Sequence, residues 1–110
     1  MTHIILAGPD EKQLGDVIES AGGTVTRLTG PLTKQRLTQA GIEDTDILVL
    51  TDVREATAIV LTREVAPEVK IVVYATETIP DFASHLADFR IDPNALDQGM
   101  VVEELLDGVT

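Results

Sequence analysis

Polar side chains that could take part in phosphoryl transfer follow three of the apolar runs in this sequence. Asp10 and Glu11 come after the first run, Asp52 after the third and Thr76 after the fourth. Carboxylates can hold a cation, an aspartate can accept a phosphoryl group, and the cation together with a lysine stabilises the charge that develops during transfer. The lysine is missing, because "IDPNAL" (91–96) stands where it would be needed. The favoured alternative is that Asp10 caps a helix and that Asp52 begins one.

The elements that would position these side chains alternate along the chain. Continuous apolar runs bounded by glycine, proline or polar residues are typical of strands that are buried on both faces of a parallel sheet. The predicted strands are residues 2–7, 24–28, 46–51, 69–75 and 89–91. Apolar residues at helical spacing predict the helices. These run from Asp10 to Ala21 and over residues 32–40, 53–65, 80–87 and 93–107.

This alternation predicts one fold class. Strictly alternating strands and helices require right-handed crossovers, which place helices on both faces of a parallel sheet. We therefore expect a three-layer, Rossmann-like α/β domain in which five parallel strands run in the flavodoxin-like order 2-1-3-4-5. Residues 1–110 are expected to form this single domain, because a chain of 110 residues has room for one core.

Three local signals refine this prediction. Asp10 and Gln13 have the spacing of a capping box, which predicts a helix that begins directly after Asp10. Gly41 stands where a left-handed residue would close the second helix. The second strand, "TVTRL" (24–28), is more polar than the others, which favours a position at the edge of the sheet.

The composition excludes several kinds of site and segment. There are no cysteines, so disulfides, thiolate metal sites and cysteine nucleophiles are excluded. His3 and His85 have no paired spacing, which argues against a metal site built on them. No apolar run reaches the roughly 18 residues that a membrane span needs, and the first residues lack the basic start of a signal peptide. We expect a cytoplasmic protein with no membrane insertion.

The net charge of −11, from 19 acidic and 8 basic residues, is the strongest compositional signal. The acids are spread along the chain, which indicates a folded acidic surface. The favoured interpretation is adaptation to molar intracellular salt, where a Debye length of about 3 Å at 1 M screens the self-repulsion. The alternative is a surface made for a basic partner. Both interpretations argue against nucleic-acid binding, because no basic stripe is present to contact phosphates.

Two stretches of the sequence resemble a known family. Residues 36–77, in which "AGIEDTD" (40–46) leads into an apolar strand ending in Thr51, resemble the centre of the TrkA-N domain, the nucleotide-binding module that regulates potassium transporters and channels. "FRIDPNALDQGMVVEELL" (89–106) resembles the closing strand, proline turn and helix of that family. The resemblance implies a regulatory module that self-associates as a homodimer and has a protein partner in transport or signalling.

The residues that would bind a dinucleotide depart from the pattern of this family. The family has a glycine-rich turn, Gly-x-Gly-x-x-Gly, where this chain has "GPDEKQLG" (8–15), and Pro9 removes a backbone donor there. Leu28 and Thr29 stand where an acidic residue would hold the ribose. We therefore expect that the usual dinucleotide fingerprint is lost. NAD and adenine nucleotides are the candidate ligands that the resemblance implies.

Two functional hypotheses follow from these patterns. The first is a non-enzymatic regulatory or ligand-sensing module derived from a TrkA-N-like domain, with its ligand in the crevice at the carboxyl ends of the first and third strands. The residues predicted to form this crevice are Gly8, Pro9, Asp10, Thr51, Asp52 and Thr76. The alternative is a divergent or pseudo-receiver, a signalling domain of the response-regulator type, with Asp52 as the would-be phosphoacceptor. The last helix, "VVEELL" (101–106), has apolar residues on two sides, which favours a homodimer.

Overall fold

The computed structural model describes residues 2–108, and it describes side chains as far as Leu106. The strands are β1 His3–Ala7, β2 Thr24–Leu28, β3 Ile47–Leu50, β4 Lys70–Tyr74 and β5 Phe89–Ile91. They form one sheet in the order β2-β1-β3-β4-β5, and every neighbouring pair is parallel. The predicted flavodoxin-like strand order is therefore confirmed.

Helices connect the strands and follow the last of them. They are α1 Leu14–Ser20, α2 Lys34–Gln39, α3 Thr57–Val65, α4 Asp81–Ser84 and α5 Gln98–Glu103. Short 3₁₀ turns precede β3 at Ile42–Asp44 and α3 at Val53–Glu55, and α5 continues into a π-helical turn at Glu104–Gly108. Within residues 2–108 no helix has both the length and the apolar character of a membrane span.

The helices occur in the predicted order but are shorter than their sequence patterns. The last one shows why, because it begins at Gln98 and not near residue 93. Asp92 organises a turn before it, in which its carboxylate accepts a hydrogen bond from the Asn94 N–H at 2.8 Å and its carbonyl accepts one from the Ala95 N–H at 3.0 Å. An aspartate that bonds to nearby backbone groups favours a turn over a helix.

Apolar packing covers both faces of the sheet. Ile5 and Ala7 of β1 belong to the cluster that contains side chains from α2, α3 and α4, whereas Ile4 and Leu6 belong to the cluster that contains side chains from α1 and α5. All four side chains are at most 1% exposed. A strand that is buried on both sides gives a continuous apolar run in the sequence, which is why the central strands could be predicted.

The start of α1 differs from the prediction. The helix begins at Leu14, and Gln13 just before it has a left-handed backbone with φ of 58°. The capping box predicted for Asp10 and Gln13 is therefore wrong. Asp10 still caps the helix, because its carboxylate accepts hydrogen bonds from the backbone N–H groups of Leu14 at 2.7 Å and Gly15 at 3.0 Å.

Two other local predictions are confirmed. Gly41 has φ of 87° and follows α2, so it closes that helix in the left-handed conformation. The next residue, Ile42, is fully buried and anchors the turn to the core. β2 lies at one edge of the sheet, as its polar pattern predicted.

The apolar residues of the "VVEELL" segment (101–106) are mostly buried. Val101, Val102 and Leu105 are each at most 3% exposed. This segment does not present the exposed apolar surface that the sequence indicated, so the "VVEELL" pattern no longer supports a homodimer. Large apolar side chains are exposed at Phe82, Phe89, Leu96 and Met100, of which Met100 lies in α5 just before this segment.

Arg63, near the end of α3, joins three segments of the chain. Its guanidinium donates hydrogen bonds to the carbonyl oxygens of Pro67, Val69 and Leu86 at 2.8–3.0 Å. These carbonyls belong to the loop before β4 and to the turn before β5. One side chain thus fixes how α3 meets the amino ends of both strands.

Asp88 completes this arrangement. Its Oδ2 accepts a hydrogen bond from Arg63 at 2.6 Å and another from the Ile71 N–H of β4 at 2.8 Å. Burial acts to raise the pKa of Asp88, but the hydrogen bonds from Ile71 and Arg63, with the positive charges of Arg63 and Lys70, outweigh it and hold the pKa below its usual range. The ionised carboxylate is therefore the form that this packing favours.

Candidate functional site

A crevice of about 370 Å³ opens at the carboxyl ends of β1, β3 and β4. Five of the six residues predicted for it line the opening, namely Pro9, Asp10, Thr51, Asp52 and Thr76. The structure therefore brings these residues together as expected from parallel strands that end at the same edge of a sheet. Their role in binding stays a prediction.

Gly8, the sixth predicted residue, packs behind the crevice wall. Its φ is 109°, a value that L-residues with side chains rarely adopt. A Cβ atom at this position would overlap Thr51 Oγ1 and would lie 3.1 Å from the backbone nitrogen of Asp52. The Gly8 N–H donates to the Leu28 carbonyl at 2.8 Å. Gly8 thus lets the ends of β1, β2 and β3 approach one another.

Thr51 is the first residue after β3, and its hydroxyl is bonded to the chain itself. Oγ1 lies 2.6 Å from the Pro9 carbonyl oxygen and 3.3 Å from the Ala7 carbonyl oxygen. Because a hydroxyl has one proton to donate, the shorter contact to Pro9 uses it. Thr51 therefore ties β3 to the loop after β1.

Asp52 is held by Arg54, two residues further along the chain. Arg54 Nε donates to Asp52 Oδ1 and Arg54 Nη2 to Oδ2, each at 3.0 Å, and the Arg54 N–H also donates to Oδ1 at 3.0 Å. The Asp52 side chain is 16% exposed and that of Arg54 is 85% exposed. The hydrogen bond from the guanidinium lowers the pKa of Asp52, against a smaller opposing effect of burial. Sequence reasoning missed this pair, although "DVR" (52–54) was there to suggest it.

The remaining acids of the crevice do not converge on a common point. The Asp10 carboxylate is used at the start of α1, and Glu77 accepts a hydrogen bond from Thr76 Oγ1 at 3.1 Å. In the part of the chain that the structure describes, no group of three His, Asp or Glu side chains could hold a metal ion. The cation site suggested by Asp10, Glu11 and Asp52 is therefore not formed in this arrangement.

Tyr74, at the end of β4, lines the crevice and was not predicted. It is 5% exposed and belongs to the apolar cluster beneath α1 and α5. Its Oη has no hydrogen-bond partner in residues 2–108, and Gln98 lies beside it without a well-formed hydrogen bond to it. Burial raises the pKa of the phenol. The only sequence signal was a tyrosine at the end of an otherwise aliphatic strand.

Comparison with known sequences gives the family. Residues 4–105 match the model of a family of unknown function, DUF7126. The chain belongs to this family. No curated protein matches the sequence of this DUF7126 domain.

Solved structures similar to the DUF7126 domain include response regulators. An orphan response regulator of H. pylori has a TM-score of 0.73 at 10% identity, with 99% of this chain and 97% of that chain covered. A response regulator from Burkholderia pseudomallei with a phosphorylated aspartic acid, calcium ion and citrate has a TM-score of 0.68 at 16% identity, with 100% and 67% covered. The beryllofluoride-activated DrrB receiver domain has a TM-score of 0.65 at 17% identity, with 97% and 98% covered. At these identities the likeness shows the fold.

These neighbours correct the predicted lineage of the DUF7126 domain. Both the expected TrkA-N membership and the function derived from it are wrong, because the similar structures include response regulators and a receiver domain. The misleading segment was "AGIEDTD" (40–46). Gly41 closes a helix and Ile42 enters the core there, which are requirements of any helix that leads into a buried parallel strand. The segment therefore carried information about the fold and little about the family.

Proposed function

We propose that the chain is a pseudo-receiver, a signalling domain that has the receiver fold but acts through protein contacts without phosphoryl transfer. The ion pair in the crevice carries the proposal, because both carboxylate oxygens of Asp52 are hydrogen-bonded to Arg54. The similar structures support the class, since they include a phosphorylated response regulator and a beryllofluoride-activated receiver domain.

Arg54 occupies the space beside Asp52 in which phosphoryl transfer would need a metal cation and the incoming phosphate. An aspartate that accepts a phosphoryl group needs a free oxygen, and a cation and a lysine must offset the charge on the transferred group. Here the cation beside Asp52 is a guanidinium that occupies both oxygens. Directly after β5, where the lysine would be needed, the chain has Asp92. A carboxylate at that point would repel the incoming phosphate.

The other polar groups of the crevice support a non-enzymatic role. The Thr51 hydroxyl is bonded to the Pro9 carbonyl, and the Asp10 carboxylate is bonded to the start of α1. A nucleophile or general base must be able to reach a substrate atom. These groups instead hold the strand ends in place, so we assign them to the architecture of the crevice.

The test is thermal unfolding with magnesium and beryllofluoride, in about 2 M KCl to screen the acidic surface. We expect no shift of the midpoint for the wild-type protein, because Arg54 blocks Asp52. A phosphoryl mimic present at about 100 times its Kd would stabilise the protein by about 2.7 kcal/mol, so binding would be easy to see.

Variants of the pair make this experiment specific. Arg54→Ala removes the guanidinium from both oxygens of Asp52 and keeps the backbone N–H bond to Oδ1. Arg90→Ala removes an exposed charge outside the crevice and is the control. If the wild-type midpoint rises and Asp52→Asn abolishes the rise, the chain is a working receiver and the proposal is wrong. A rise confined to Arg54→Ala would identify Arg54 as the block and support the proposal.

We also propose that the protein partner is a second copy of this chain, joined through the β5 edge. Phe82 of α4 and Phe89 of β5 are 58% and 47% exposed, and they are the two phenylalanines of the chain. β5 is the end strand of the described sheet and is paired with β4 alone, so a partner strand could add to its other side. Exposed aromatic side chains beside an open strand are typical of an interface.

Sedimentation velocity in about 2 M KCl, where charge repulsion between copies is screened, measures this association. We expect a dimer for the wild type and a shift to monomer for Phe89→Ser and for Phe82→Ser. Thr26→Ala, at an exposed position of the β2 edge at the other end of the sheet, is the control and should leave the dimer intact. A wild-type monomer at all concentrations would refute the second copy as partner.

A further inference from the structure

A buried hydroxyl without a partner lies in the wall of the crevice. Tyr74 is 5% exposed, its side chain lines the crevice, and Oη has no partner among the described residues. An unpaired buried hydroxyl is destabilising, whereas phenylalanine would fill the same space without that cost. The free protein therefore has one donor that a molecule in the crevice could satisfy.

We propose that the crevice binds a small organic molecule, uncharged or cationic, that offers a hydrogen-bond acceptor to Tyr74 Oη. The inference rests on the proposed function, because a crevice that is not used for phosphoryl transfer is free to bind a regulator. The volume of about 370 Å³ lies within the range of small-molecule sites, which is roughly 300–1,000 Å³. One compact molecule with a few polar groups would fill it.

The charges of the wall decide the class of ligand. Two cations, Lys12 and Arg54, line the crevice, and Arg54 is already paired with Asp52. The carboxylates that line it are those of Asp10, Glu11, Asp52 and Glu77. Negative charge is therefore in excess, which disfavours phosphate esters and other anions. Amine and hydroxyl groups of a ligand could instead donate hydrogen bonds to these carboxylates.

Gln98 is the polar side chain next to the tyrosine. Its side-chain amide donates to the Lys12 carbonyl in an exposed hydrogen bond, which links α5 to the loop between β1 and α1. The same side chain lies beside Tyr74. A ligand that displaces the Gln98 amide from its place beside Tyr74 would bring its own acceptor to Oη.

The experiment compares neutral or cationic probes with their anionic counterparts. We would titrate glucosamine and cytidine, and separately glucosamine 6-phosphate and cytidine monophosphate, into ¹⁵N-labelled protein in about 2 M KCl, chosen to screen non-specific charge effects. We expect amide shifts around the crevice for at least one parent compound and about tenfold weaker binding of its phosphate ester. Tyr74→Phe should weaken binding about tenfold, the loss expected for one hydrogen bond.

Thermal unfolding of Tyr74→Phe without any probe separates this site from an ordinary core position. We expect the midpoint to stay unchanged or to rise, because the unpaired hydroxyl is removed. A lower midpoint would mean that Oη has a partner in the free protein, and the inference would fall. It would also fall if neither parent compound shifted crevice amides, if the esters bound as well as the parents, or if Tyr74→Phe bound normally. Beryllofluoride binding at Asp52 would refute the pseudo-receiver proposal instead, so the two failures are distinguishable.

Discussion

Replacement of Arg63 by alanine is expected to lower the free energy of unfolding by about 3 kcal/mol. The guanidinium bonds three backbone carbonyls and Asp88, and its side chain is only 22% exposed. Alanine would leave partly buried acceptors without their donor and Asp88 without its counter-charge. Urea unfolding at constant salt, extrapolated to zero denaturant, measures the change.

Two further variants test this explanation. Arg63→Lys should recover only part of the loss, because an ammonium group cannot reach carbonyls on two sides as the planar guanidinium does. Arg90→Ala removes an exposed arginine of β5 and should change stability by less than about 0.5 kcal/mol. If Arg63→Ala were no more destabilising than Arg90→Ala, the hydrogen bonds of Arg63 would not stabilise the fold.

Acid should remove the contribution of Asp88. Its pKa in the folded protein is lowered by the Ile71 N–H and Arg63 despite the opposing effect of burial. A lowered folded pKa means that the ionised group stabilises the protein above the unfolded value of about 3.9, and that this stabilisation is lost as the pH falls through the folded value. The stability difference between wild type and Asp88→Asn should therefore shrink below about pH 4. A difference that stays constant down to pH 2 would exclude the charge as its cause.

Gly8→Ala is expected to be about as destabilising as Arg63→Ala. A residue with a side chain at this φ of 109° is strained by about 1–3 kcal/mol. The new methyl group would also overlap Thr51 Oγ1 and crowd the backbone nitrogen of Asp52, and such overpacking typically costs about 1–3 kcal/mol more. We therefore expect a loss of roughly 3 kcal/mol in the free energy of unfolding, measured in urea.

Gly22→Ala is the matched control for the strain. Gly22 has a similar φ of 98°, but no atom lies within 4 Å of where its Cβ would be. It should therefore show the cost of the backbone conformation without the overlap. The double variant Gly8→Ala with Thr51→Ala should lose about 1 kcal/mol less free energy of unfolding than the two single variants lose in sum. The reason is that Thr51→Ala removes the oxygen that the new methyl group would overlap. Equal losses for Gly8→Ala and Gly22→Ala would show that the strand ends can move apart.

The fold could be predicted because its three central strands, β1, β3 and β4, are buried on both faces. In an α/β domain, a continuous apolar run such as "ILVL" (47–50) is typical of a strand inside the sheet. Because helices alternate with these strands, the sheet is expected to be parallel. Helix ends were less predictable. The start of α1 depends on the left-handed backbone of Gln13. The sequence does not indicate this conformation, because residues other than glycine rarely adopt it.

The candidate site was predictable in position but not in detail. Parallel strands that end together must bring Pro9, Thr51 and Thr76 to one edge. The hydrogen bonds of Asp52 depend on a 3₁₀ turn that brings Arg54 back to its carboxylate. The sequence pattern predicted an ordinary helix from residue 53 and did not indicate that turn. Tyr74 was overlooked because its importance lies in a missing partner, and only coordinates reveal that a hydroxyl is unpaired.

The attachment of β5 has a consequence for the motions of the molecule. β5 has three residues, two of them exposed, and it is held to the sheet by β4 alone. β1, by contrast, is paired on both sides and almost fully buried after its first residue. Amide hydrogens of β5 should therefore exchange with solvent through a local opening, whereas those of β1 and β3 should exchange only on global unfolding. β5 can then open and close locally while the centre of the sheet stays intact.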